Sequence, residues 1–207
     1  GLDRLPEYQN VATAAGFDKL LTSSISLSYR NLRSSIGAID AEKGIKWRLA
    51  GSQQLVRQGF QGSAVWRGYP LAYATLDVGT PLPIRNSSIW LRTAAGTAAG
   101  SRDDQFANFF FGGFGNNGVD YRDVKHYRTY DAFPGRDLNE IGGRNFAKAT
   151  ADWSLPAWRF RRVGVLPFYA AYARLGLFGS GLVTNLDDTA SRRKLASRGA
   201  SHSPRKS

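Results

Sequence analysis

The chain has 207 residues, with 28 Lys and Arg against 16 Asp and Glu, a formal charge of +12, and neither Cys nor Met. The absence of Cys excludes disulfides and thiolate-held metals, and no run of about 18 apolar residues offers a membrane-spanning helix. Aromatic residues at 13% and 23 glycines favour an all-β architecture, and they leave open a membrane barrel, whose alternating strands escape hydropathy scans.

Gly1 stands where an initiating Met would, so a processed chain or a piece of a longer one is expected. Residues 1–22 read as a lead-in, with a short helix candidate over 8–21. Period two then takes over. Ile25, Leu27 and Tyr29 alternate with serines and Arg30, and after the polar turn DAEKG (40–44) Ile45, Trp47 and Leu49 alternate with Lys46, Arg48 and Ala50. Such alternation hides one face of a strand and wets the other, and two such runs across a turn form a hairpin candidate. Further strands are predicted at 62–79 (two strands, or one bent at Pro70), 87–98, 106–114, 145–155, 158–163 and 168–183, with turn signals between them.

From Asn116 to Asn139 no strand is predicted, and a connection longer than about 15 residues in a compact domain is usually functional or disordered. The aromatic content of this loop, Tyr121, Tyr127, Tyr130 and Phe133 included, argues for packing. The last segment, 187–207, carries +4 with few apolar residues and reads as a basic disordered tail.

Gly113, Gly115 and Gly118 spell G-x-G-x-x-G after the apolar run at 109–111. A dinucleotide site needs a helix opening at the last glycine. The following VDYRDVKHYRTY has no apolar helical stripe, so the glycines read as turn residues. Two histidines, His126 and His202, give no metal spacing, and the chain lacks a G-x-S-x-G elbow. No catalytic residue, metal or cofactor is expected, and the chain does not read as an enzyme.

At 145–155, Ala147, Ala149, Ala151, Trp153 and Leu155 fall on one face, and Lys148, Thr150 and Asp152 on the other. The order of this region is FFFGGFG (109–115), a long loop, Ile141-Gly142-Gly143, an alternating strand, Asp152-Trp153 and Pro156. It resembles the carboxy-terminal barrels of the BamA-like outer-membrane assembly and translocation proteins, the bacterial surface antigen superfamily, over about 50 residues. The resemblance implies a fragment of an antiparallel up-and-down transmembrane β-barrel, about eight strands over 23–186, in the bacterial outer membrane. It implies a lipid bilayer and lipopolysaccharide as surroundings, and polypeptide substrates or periplasmic domains of the same parent protein as partners. Its role would be protein insertion, translocation or membrane anchoring.

It further implies a loop folded into the lumen, with an arginine paired to an inward acid. The family's Arg-Gly-aromatic loop tip is absent here, and Arg122, Arg128 and Arg136 are the candidates for its work, with Lys148 and Asp152 facing them. The turn glycines are Gly112, Gly113, Gly115, Gly142 and Gly143. The alternative is a soluble all-β domain binding nucleic acid or another polyanion through a basic face such as WRFRR (158–162). Under the barrel reading nucleic acid is not an expected partner.

Overall fold

The computed structural model describes residues 19–38, 40–60, 63–100, 105–113, 128–137, 139–165 and 168–206, with side chains left undescribed at 58–60, 63–64, 105, 159–165, 168–172, 174 and 200–206. The fold is all-β and antiparallel, with no α-helix among the described residues. Most of the helix candidate at 8–21 lies outside them, and its last three residues already belong to the first strand.

Ten strands follow in chain order: β1 (Lys19–Arg33), β2 (Lys43–Phe60), β3 (Ser63–Pro81), β4 (Ser88–Ala98), β5 (Phe109–Phe111), β6 (Ile141–Gly143), β7 (Asn145–Ser154), β8 (Trp158–Val165), β9 (Phe168–Thr184) and β10 (Arg193–Lys206). The main sheet is an up-and-down meander in the order β1-β2-β3-β4-β7-β9-β10, and β8 extends the line of β7 along β9. β5 and β6 form a separate two-stranded ribbon between β4 and β7. Among the described residues no pairing joins β1 to β10, so the sheet has two edges.

Over the region expected at 62–79 the structure has one continuous strand, Ser63–Pro81, rather than two. Pro70 sits in β3 opposite Gln53 of β2, while its carbonyl accepts from the Ala99 amide at 2.9 Å. The missing N–H therefore points away from β2, toward the side where the β3–β4 ladder, starting at Leu71, has ended. The strand expected over 106–114 is shorter. A 3-10 turn at Gln105–Ala107 precedes β5, and Gly112 ends it with φ of +154°. A Cβ at Gly112 would overlap the Asp137 carbonyl, so no other residue fits there.

The disorder expected for 187–207 is not what the structure has. Arg193–Lys206 forms β10 and pairs with β9 from Thr184 to Ala170, with a register shift between Pro204 and Lys206. Leu195 packs onto the aromatic core and the Ser197 hydroxyl donates to the Pro134 carbonyl, so small and apolar residues at alternate positions carry the pairing. Composition hid this, because a polar row on the opposite face dominates the count. The first boundary also moves, since β1 begins at Lys19, inside the supposed lead-in.

Register fixes which residues share a face. Leu27 pairs with Leu49, Leu49 with Ala74, Ala74 with Ala95, Ala95 with Ala147 and Ala147 with Val183. This row is the outer face, and its large members are bare: Ile25 is 80% exposed and Leu27 62%. The inner face runs through Arg92, Phe146, Lys148, Thr150, Asp152, Ser180 and Leu182, and there Asp152 is 0% and Lys148 6% exposed. On the covered part of the inner face Lys148 and Asp152 are buried beside Phe146 and Leu182, while aliphatic side chains of the outer face such as Leu49 and Leu91 are exposed.

Candidate functional site

The inner face is covered where the described residues 105–113 and 128–137, between β4 and β7, fold over it. The anchor is aromatic. Phe109 and Phe111 of β5 meet Phe146 of β7 edge-on at centroid distances of 4.9 and 4.7 Å, and Tyr130 stacks on Tyr73 of β3 at 4.6 Å. Phe111, Phe133 and Phe146 are fully buried, each contributing about 1.5–3 kcal/mol. A backbone bridge between Gly113 and Phe133 joins the two ends of the segment that are described. Gly143 supplies room as well, because a Cβ there would press on Thr184 of β9. Gly142 lies in β6 opposite Phe110, and Gly115 is outside the described residues.

Two cations tie this segment to the sheet. Arg128 donates from Nη1 to Asp40 at 2.9 Å, and its Nη2 lies 2.7 Å from Asp152 and 3.2 Å from the Ser154 hydroxyl. It thus spans the β1–β2 connection and β7. Lys148 works in the opposite direction, from sheet to loop. Its Nζ donates to the carbonyls of Thr129 and Tyr130, both at 3.0 Å, and to that of Ala132. Three carbonyls converging on one ammonium satisfy its three donors.

A second arginine extends the network along the wall. Arg92 of β4 donates to Asp77 of β3 at 2.9 Å, lies 3.6 Å from Asp152 and sits over the Trp90 ring at 5.0 Å. Asp152 is therefore shared between two guanidinium groups, one from the wall and one from the loop. Trp90 itself lies flat on Gly79 and donates to the Ala41 carbonyl at 3.1 Å, which closes this end of the inner face. Burial pushes the Tyr130 hydroxyl well above the usual phenol range, so it stays neutral in the middle of this cluster.

No family model matches the chain, and no curated protein or solved structure resembles it. The geometry therefore carries the functional argument alone.

Of the five residues named from sequence for loop contacts, the structure brings Arg128, Lys148 and Asp152 together. Arg136 instead pairs locally with Glu140 at 3.0 Å on an exposed turn, and Arg122 lies outside the described residues. Sequence reasoning missed Asp40, Asp77 and Arg92. Arg92 could have been found, since it occupies the inward row of an alternating strand opposite Thr150. Asp40 could not, because its role depends on where a turn falls in space. The basic stretch 158–162 belongs to β8, where Trp158 is 65% exposed and the arginine side chains are undescribed. His126 also lies outside the described residues, as does the side chain of His202.

Salt bridges and carbonyl contacts hold the described residues 128–132 against one face of the sheet.

Proposed function

We propose that this chain forms part of a transmembrane β-barrel of the outer-membrane assembly and translocation type, with the segment between β4 and β7 held in the lumen. The observation that carries this reading is the inversion of the sheet: exposed Ile25, Leu27, Leu49 and Leu91 on one side, buried Asp152 and Lys148 on the other. In β1 the outward row from Leu21 to Tyr29 is bracketed by Lys19 and Arg33. At about 3.3 Å per residue and a tilt of about 45°, that row spans roughly 20 Å, close to the apolar band of about 25 Å in such barrels. Tyr29 and Trp47, stacked at 6.1 Å, and Trp153 supply interfacial aromatics.

In a bilayer both sheet edges have to be paired, so closure takes further strands, from a longer chain or a second copy. The biological role follows from the plug. A segment pinned by Arg128 and Lys148 gates or braces the lumen, as suits insertion of polypeptides, their passage, or membrane anchoring of a larger protein.

The experiment is extraction and gel mobility. The protein should stay with membranes through high salt and alkaline washing, need detergent for release, and migrate faster unheated than boiled. A chain that purifies from the soluble fraction and binds polyanions in a salt-dependent way would replace the barrel with the soluble all-β alternative.

A further inference from the structure

The outer face breaks its own pattern at β10. Lys194 pairs with Val183 and Arg198 with Gly179, which places both cations outward, with Ala196 between them. Both are exposed. Elsewhere the rows at these positions hold Val183, Ala147 and Ala95, or Gly179, Ala151 and Leu91. The carboxylates of the adjoining hairpin are engaged elsewhere. Asp187 accepts from Arg144 and Asn145, and Asp188 accepts from Ser191 and the Ala190 amide. Beside the cations the surface is open, since a Cβ at Gly179 or Gly181 would meet nothing within 4 Å.

A cation facing hydrocarbon is disfavoured unless its head reaches an anion at the interface. Lys194 follows the β9–β10 turn directly, and Arg198 stands four residues farther, about 13 Å along the strand. Long side chains from those two positions can converge on one headgroup. A phosphate accepts from both an ammonium and a guanidinium, and acyl chains suit the bare surface next to them.

We propose that the outer face of β9 and β10 binds an anionic lipid, with Lys194 and Arg198 holding its phosphate and its acyl chains lying over Gly179, Gly181 and Ala149. This rests on the membrane reading of the sheet. It adds to that reading a defined lipid site on one side of the wall.

The test uses the full chain, reconstituted into vesicles of phosphatidylcholine alone or with added phosphatidylglycerol. Flotation reports insertion, and mass spectrometry of the detergent-released protein counts retained lipids. Retention of phosphatidylglycerol over phosphatidylcholine is expected. The double variant K194Q/R198Q should lose about tenfold or more of that preference, since each cation near an anionic surface is worth about a fivefold factor. Unheated gel mobility checks that the variant still folds, and the single variants K194Q and R198Q should each lose part of the preference. Flotation with neither vesicle would overturn the membrane reading and the site with it. Flotation with both, but equal lipid retention unchanged in the variants, would overturn the lipid site alone. Displacement of the lipid by millimolar inorganic phosphate would also overturn it, leaving a plain phosphate site.

Discussion

Between Asp152 and Trp153 the chain advances one residue and passes from a carboxylate with no exposure to an indole that is 37% exposed. The same step repeats across the sheet. Arg92 is mostly covered and engages two acids, while its neighbour Leu91 is 50% exposed. A pleated strand must send successive side chains to opposite faces, so the alternation itself is unremarkable. What distinguishes this sheet is which face received the cover. Described residues between β4 and β7 cover the charged side, and the aliphatic side has no layer of described protein over it. Hydrocarbon on one side and water on the other, as proposed above, would account for that choice.

The contrast breaks most severely at Asp152. Asp152→Ala leaves Arg128 and Arg92 without their shared acid, and loss of one member of a buried ion pair costs about 3–5 kcal/mol. Urea unfolding in detergent micelles should show that loss, with earlier proteolysis of the loop. Asp152→Asn, which keeps one acceptor, should fall between.

A charge placed on the outer face sharpens the comparison next. Leu49→Arg should destabilise by about 2–4 kcal/mol if the face meets hydrocarbon, and by no more than about 0.5 kcal/mol if it meets water. Ser28→Arg, on the exposed inner side of β1, should be close to neutral under either condition. Unfolding from vesicles, compared for the two variants, separates the possibilities. Lys148→Met should cost about 1.5–3 kcal/mol, the range for hydrogen bonds to a charged group. It should show mainly as faster cleavage around Thr129–Ala132, because the sheet beneath keeps its own ladder.

The smallest effect lies at the β9–β10 turn. A hydrogen bond from Asn145, together with those from Arg144, holds the Asp187 carboxyl below its usual range. A depressed folded value stabilises the hairpin above the ordinary carboxylate pKa of about 3.9. That contribution fades as pH falls through the lowered value. Amide protection factors at 185–192, taken relative to the intrinsic exchange rate at each pH, should therefore fall modestly in acid, and Asp187→Asn should remove that fall.

Much of this fold was legible in period two. The strands at 145–155 and 168–183 agree with β7 and β9 to within a residue or so, because one face of each is all small or apolar. Arg128, Lys148 and Asp152 were legible as candidates, since an inward charge needs a partner and the loop offered few. β10 was not legible. Its inward row of Leu195, Ser197 and Gly199 is too small to stand out against the cations between them, and its order depends on the edge of β9. The Arg92–Asp77 pair escaped for another reason. Cross-strand partners become visible only once register is known, and a shift of one residue would have put the two on opposite faces.

Accessibility along single strands tests the two-solvent account most directly. The chain has no native cysteine, so one at a time can be introduced at Leu27, Ser28, Leu49, Ala149 and Thr150 and spin-labelled in vesicles. The account expects labels at 27, 49 and 149 to be relaxed by oxygen and shielded from a water-soluble nickel complex. Labels at 28 should show the reverse, and labels at 150 should be immobile and shielded from both. Equal access of the nickel complex to positions 27, 28 and 49 would contradict it, because the aliphatic rows would then face water.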